Sequence, residues 1–185
     1  ALREQLTQLD ETEPLRIWVP GCATGEEVYS LAMLVGELLD FPDDLDHHLK
    51  IFGTDLDDSS LAIARRAQYP LADLARIPER LRERYTRVVD SGFQINEVIR
   101  DCTIFAHHDV TRDPPFPRID LVSCRNVLIY FTAPLQLQVH AAFRFSLKPQ
   151  GMLFLGKAES LDTTIAGYRT VSEDQHLYAR SVLGS

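Results

Sequence analysis

RIWVPGCATGEEVYS, residues 16–30, joins an apolar burst, Ile17-Trp18-Val19, to two glycines, Gly21 and Gly25, and sets Glu26 and Glu27 directly behind the second. The burst predicts a buried strand ending at Pro20-Gly21. Past Glu26, the residues Val28, Leu31, Ala32, Val35, Leu38 and Leu39 recur at i, i+3, i+4 spacing and predict a helix to about Asp40, ahead of Pro42. Strand, glycine turn and helix in that order commonly cradle nucleotides, but this loop narrows the choice. A Walker A loop needs Lys and then Ser or Thr after its last glycine, and here Glu26-Glu27 fill that slot. A dinucleotide loop needs Gly-x-Gly-x-x-Gly, and Gly21-Cys-Ala-Thr-Gly25 lacks the middle glycine. Acids at a helix start favour its dipole whatever the ligand, and they draw a cation rather than a phosphate.

Outward from this loop the alternation continues. "LKIFGTDLD" (49–57) is a short β-prone run ending in acids, and "DDSSLAIARRAQ" (57–68) is helical with Asp57 or Asp58 as N-cap. Residues 69–86 are charged and helix-prone, while "RVVDSGFQINEV" (87–98) holds two β-like runs around Ser91-Gly92, a hairpin signal. Residues of about 69–100 therefore read as a small inserted β-hairpin/helical subdomain. "TIFAHHDV" (103–110) and "IDLVSC" (119–124) are the third and fourth strands. Thr132 and Pro134 open a helix through Leu147 that Pro149 and Gly151 close; "GMLFLGK" (151–157) is a fifth strand and "QHLYARSV" (175–182) a last β-prone run. Alternating strands and helices predict an α/β fold with a mostly parallel sheet covered on both faces. Ligands in such sheets bind beyond the carboxyl ends of the strands, here Pro20-Gly21, Asp55, Asp109 and Cys124 to Asn126.

The 185 residues, 45% of them hydrophobic, suit a single domain, residues 1–185. A net charge of -8 is the wrong sign for neutralising a nucleic-acid backbone, so no nucleic acid is expected as partner. Cys22, Cys102 and Cys124 are too widely spaced for a Cys-x-x-Cys pair, and adjacent His107 and His108 point to opposite faces of a strand, so no metal is expected. No apolar run approaches the roughly 18 residues of a membrane span, and "ALREQLTQLDETEP" lacks the features of a signal peptide. The expectation is a cytoplasmic chain without membrane insertion.

Asp55, at the end of the second strand, is placed to accept hydrogen bonds from both hydroxyls of a ribose. A ribose beside a positive charge, with no phosphate, describes S-adenosyl-L-methionine. "RIWVPGCATGEEVYSLAM", "IFGTDLD", "FAHHDV", "IDLVSCRNVLIYF" and "GMLFLGKAES", in this order, resemble the catalytic domain of the CheR-type chemotaxis methyltransferases, over residues 16 to about 180. The resemblance implies a class I SAM-dependent methyltransferase fold, a doubly wound seven-stranded sheet whose last strand is antiparallel. It implies S-adenosyl-L-methionine as cofactor, with S-adenosyl-L-homocysteine as product, and methylation of glutamate side chains of chemotaxis-type receptors (protein-glutamate O-methyltransferase activity). The partner so implied is the cytoplasmic domain of a methyl-accepting chemotaxis-type receptor.

By the same resemblance the second Glu of the Gly-Glu-Glu run, Glu27, contacts the cofactor, Asp55 holds the ribose, and Asp109 and Val110 flank the adenine. Arg125 and Asn126 lie under the cofactor, Gly21 belongs to the cofactor-binding set, and Tyr130, four residues after Asn126, faces the methyl-transfer centre. A glutamate nucleophile is ionised at neutral pH and needs no general base. Tyr130 and Arg125 are therefore read as catalytic through steering, in a site that excludes water. The family's N-terminal helical domain, with its Thr-x-Phe-Phe-Arg segment, is absent from these 185 residues. The tight "DSG" turn replaces the longer loop with which some members grip a receptor's C-terminal peptide. The wording "HDVTRDPPFPRIDLVSCRNVLIYF" resembles modules fused to methylesterase and sensor domains. The alternatives are a non-catalytic module that binds cofactor or docks protein within such a fusion, and a nicotinamide-dependent oxidoreductase, which leaves the missing glycine unexplained.

Overall fold

The computed structural model describes residues 13–39, 44–161 and 167–181. Strand β1 (Leu15–Pro20) forms from the apolar burst and leads into helix α1 (Glu26–Leu39). A short helix α2 (Leu45–His48) precedes β2 (Leu49–Asp55), and α3 (Asp58–Arg66) follows it. Asp57 is the N-cap of α3, its carboxylate accepting from the backbone N–H groups of Ser59 and Ser60. The region expected as an insert holds β3 (Gln68–Tyr69), α4 (Glu79–Tyr85), β4 (Thr86–Val89) and β5 (Gly92–Ile95). The strands form their own antiparallel sheet, in the order β3-β5-β4. Helix α5 (Glu97–Arg100) returns the chain to β6 (Thr103–His107), and β7 (Ile119–Cys124) comes after the proline-rich loop. Then come α6 (Ala133–Ser146), β8 (Leu147–Leu155), β9 (Tyr168–Ser172) and β10 (Leu177–Arg180).

The main sheet has seven strands in the order β6-β2-β1-β7-β8-β10-β9. Strand β10 runs antiparallel to both neighbours, and the other pairings are parallel. Strand residues alternate between two cores. Ile17, Val19, Leu121, Met152 and Leu177 face the core that contains Val28 and Ala32 of α1. Trp18, Val122, Leu153 and Tyr178 face the one built on Val139 and Phe143 of α6. With both faces covered, the strands read as continuous apolar runs rather than alternating ones. The order reverses between β1 and β7, so a crevice is expected beyond their carboxyl ends.

Two segments differ from the sequence-based expectation. Strand β8 starts at Leu147, not Gly151. Its pairing with β7 jumps from Ile119↔Leu147 to Leu121↔Met152, so the intervening residues bulge out of the ladder. Pro149 cannot donate a ladder hydrogen bond, and Gln150 takes a left-handed φ of 65°, which together account for the bulge. Strand β9 carried no clear sequence signal because it is an edge strand, paired only with β10.

The insert is tied to α1 by one acid. Glu37 reaches Arg80 and Arg84, each at 2.7 Å, and accepts a 2.9 Å hydrogen bond from the Tyr85 hydroxyl. Tyr69, Tyr85, Phe93 and Ile95 join the α1 core, whereas Val88 on the hairpin is exposed.

On the opposite face His140 is buried in α6, and its Nδ1 has no partner among the described residues. Burial pushes its imidazole from 6.5 down to about 4, although the charge of Glu159 works the other way. Above pH 6.5 the ring is neutral in folded and unfolded chains alike. As pH falls from 6.5 to 4 only the unfolded chain takes up the proton, so stability is lost over that window, by about 3 kcal/mol. Urea unfolding at pH 7 and pH 4.5 should show this loss, and His140→Leu should reduce it; an identical pH dependence in the variant would acquit His140.

Candidate functional site

The loop after β1 turns through three left-handed residues, with φ of 67° at Gly21, 47° at Ala23 and 90° at Gly25. A Cβ on Gly21 would lie 2.4 Å from Val127 Cγ2, so only glycine lets this loop approach the one after β7. Asp55 holds the turn from the next strand. Its Oδ2 accepts from the Ala23 N–H at 2.8 Å, and its Oδ1 accepts from the Asp57 N–H at 3.0 Å.

These loops, together with the end of β6, surround a cleft of about 550 Å³. Gly21, Asp55, Asp109, Val110, Asn126 and Tyr130, six of the residues expected at the site, line it. Among the described lining residues two are acidic and none is Lys or Arg. Its volume falls in the usual range of small-molecule sites, roughly 300–1,000 Å³. Such a lining suits a ligand with polar hydroxyls and a positive charge, and it offers nothing to a phosphate.

Glu27 and Arg125 do not line this cleft. They form a pair beside it, 3.8 Å apart, with Glu27 Oε1 accepting a 2.5 Å hydrogen bond from the Ser123 hydroxyl and the Arg125 guanidinium lying over the Phe154 ring. Burial raises the Glu27 carboxyl, the Ser123 hydrogen bond and Arg125 lower it, and the charge of Glu159 raises it again. Glu26 takes the opposite side. It accepts from the Thr24 hydroxyl and borders a separate, mainly apolar cavity of about 390 Å³ between α1 and the insert. Adjacent helix positions do not share a face, so one acid of the pair faces inward and the other outward.

Asp109 is less free than its expected role supposes. Its Oδ1 accepts from the Thr111 N–H at 2.9 Å and the Thr111 hydroxyl at 2.6 Å, hydrogen bonds that hold its carboxyl below the usual range. Each carboxylate oxygen has two lone pairs, and among the described residues Arg112, at 3.7 Å, is the charged partner of Oδ2. An acceptor therefore remains for an amine. The neighbouring histidines separate as adjacent strand residues should, His107 exposed and His108 buried edge-on against Trp18.

Tyr130 ends a short 3-10 turn, Leu128–Tyr130, and is 80% exposed at the cleft. A side chain so exposed is not a core aromatic. Leu56 and Ile129 are exposed nearby in sequence to Asp55 and Tyr130.

Two residues of the site were not anticipated. Ser123 orients Glu27, and Glu159 organises the loop after β7. Glu159 is 4% exposed, and its carboxylate accepts from the N–H groups of Asn126, Val127, Leu128 and Gly156. The signal available in the sequence was an acid three residues beyond the glycine that ends an apolar strand.

The family model "CheR methyltransferase, SAM binding domain" matches residues 1–177. Among curated relatives, a chemotaxis protein methyltransferase of Listeria monocytogenes is 36% identical over 154 residues, covering 82% of this chain and 56% of its own length. Chemotaxis protein methyltransferase 2 of Pseudomonas aeruginosa is 32% identical over 164 residues, with 83% and 56% covered. An uncharacterised 104.1 kDa protein of Rhodobacter capsulatus is 37% identical over 151 residues, 80% of this chain but 15% of that protein. The chain thus spans a little over half, or much less, of the length of these relatives. Of the solved structures, the DszA carbon methyltransferase superposes with a TM-score of 0.59 at 17% identity, covering 97% of this chain and 50% of that one. A TehB-like SAM-dependent methyltransferase from Corynebacterium glutamicum gives 0.51 at 11% identity, with 96% and 84% covered. The fold is that of the class I SAM-dependent methyltransferases. No helix among the described residues is long and apolar enough to cross a membrane.

Proposed function

The chain belongs to the CheR methyltransferase family, and from that premise we propose that it binds S-adenosyl-L-methionine in the cleft beyond β1, β2, β6 and β7 and methylates glutamate carboxylates of a chemotaxis-type receptor. The observation that carries this reading is the cleft's lining: acids and apolar groups converge at the switch point of the sheet, without a cation to hold phosphate. The residues present fit the cofactor. Asp55 would accept from ribose hydroxyls, Asp109 Oδ2 would accept from the adenine amine, and Val110 would pack against the ring. Asn126 would form part of its wall, and Glu27, held beside the cleft by Ser123, would contribute negative potential for the cationic end.

When bound, the cofactor supplies an electrophilic methyl group on a sulfonium. The chain's own part is alignment. Arg125, paired with Glu27 beside the cleft, and Tyr130, exposed at it, would hold an incoming carboxylate in line, with no proton to remove. Charge is lost from nucleophile and electrophile together, so covering the exposed mouth against water favours the step.

Calorimetry with S-adenosylhomocysteine and with NAD, followed by transfer of tritiated methyl to a receptor cytoplasmic fragment as base-labile ester, tests the reading. Binding of the homocysteine product but not NAD, with ester formed, is expected. Binding without ester would make the chain a docking module, and no binding would remove the cofactor assignment. Tyr130→Phe should keep affinity for the product within about threefold while turnover falls about tenfold or more. Full turnover in that variant would take the hydroxyl out of the mechanism.

A further inference from the structure

We propose that Glu159 is a positioning residue for the transfer site: its carboxylate fills a nest of backbone N–H groups and so fixes the loop that carries Arg125, Asn126 and Tyr130. The inference rests on the function proposed above. Asn126 has a φ of 61° and Val127 one of -112°, a left-handed residue followed by a right-handed one. That succession turns consecutive N–H groups into one concavity suited to an anion. In a phosphate-binding protein such a concavity would hold the ligand. Here the chain fills it from within. Oε1 accepts from Val127 at 2.9 Å and Leu128 at 2.8 Å, while Oε2 accepts from Asn126 at 3.1 Å and Gly156 at 2.7 Å.

Glu159 itself cannot swing away. Its own N–H donates to the Gly156 carbonyl at 3.0 Å, and its carbonyl lies 2.9 Å from His176 Nδ1. Asn126 sits at a left-handed φ of 61°, which asparagine adopts more readily than most residues with a Cβ, and these hydrogen bonds hold it there. A neutral amide in place of the carboxylate would turn its NH2 towards donors, so a Gln of the same shape breaks the nest. The charge also reaches the Glu27–Arg125 pair, because Glu159 is among the groups that raise the Glu27 carboxyl.

The test uses the chain with Glu159→Gln, Glu159→Ala and Gly156→Ala, measuring turnover and KM for S-adenosylmethionine per folded molecule. A Cβ on Gly156 would stand 2.7 Å from Glu159 Oε2, so this last variant displaces the carboxylate without removing it. Turnover should fall about tenfold or more in all three while KM moves less than about threefold. Acetate, but not acetamide, should restore turnover to Glu159→Ala by re-entering the nest, an effect that a loss of stability alone would not produce. Unchanged turnover in Glu159→Gln or in Gly156→Ala overturns the proposal, as does failure of acetate to restore a folded Glu159→Ala. If neither Glu159 variant folds, Gly156→Ala decides. If the wild-type chain binds no S-adenosylhomocysteine, the methyl-transfer reading fails separately. Hydrogen exchange at amides 126–128 and 156 then decides for Glu159, unaltered exchange in Glu159→Gln counting against it.

Discussion

Asp55→Ala should lower affinity for S-adenosylhomocysteine about a hundredfold or more, because two hydrogen bonds to a charged acceptor are lost at about 1.5–3 kcal/mol each. The effect has a second source inside the protein. The same carboxylate accepts from Ala23 and Asp57, and the left-handed Ala23 turn loses its anchor with it. Asp55→Asn separates the two contributions, since one oxygen remains to hold the turn while the second is replaced by a donor. Calorimetry on both variants gives the comparison. Affinity within about threefold of the parent in Asp55→Ala would contradict the ribose assignment, since even one lost hydrogen bond of this kind exceeds that.

Trp18→Ala should cost about 3–5 kcal/mol of stability, the usual range for removing a large aromatic from a core. Trp18 is fully buried on β1, an interior strand of the sheet, donates from Nε1 to the Thr54 hydroxyl at 3.0 Å, and meets His108, Phe116 and Phe143 edge-on at 5.2–5.4 Å. Its loss opens a cavity and leaves Thr54 unpaired at once. Trp18→Phe keeps most of the packing and should cost less. It is the only tryptophan, so denaturation is best followed by far-ultraviolet circular dichroism. A cost below about 1 kcal/mol for Trp18→Ala would show that the core relaxes around the hole.

The strand, turn and helix at 16–30 were legible because burial on both faces, glycine turns and helical periodicity are local properties. So were an acid at the N-cap, left between Asp57 and Asp58 and found at Asp57, and the hairpin around Ser91-Gly92. Gly21, Asp55, Asp109 and Asn126 could be placed together because the strand ends of a parallel sheet share one edge whatever lies between them, whereas Val110 and Tyr130 came only with the family resemblance. What stayed hidden depends on partners remote in sequence. What sets Glu27 apart from Glu26 is a hydrogen bond from Ser123, 96 residues on from Glu27. The Glu159 nest joins residues up to 33 apart, and nothing in "GKAES" marks its acid as buried. Asp109 binding its own turn through Thr111 competes with the adenine role, a conflict that residue type alone conceals. Strand β9 is defined by a single neighbour, so its own five residues carry little imprint of it.

The attachment of the insert bears on how such a chain can diversify. Its inner face is committed to the α1 core and to the Glu37 contacts, while on the hairpin from β4 to β5 Val88 is exposed and Arg87 spans to Gln94. Substitution or lengthening at Asp90-Ser91 would alter that exposed edge without repacking either core of the main sheet. Selection can therefore retune what the edge touches while the Tyr69 hydroxyl, donating to the Thr24 carbonyl at 2.7 Å, keeps the base of the insert fastened to the loop after β1.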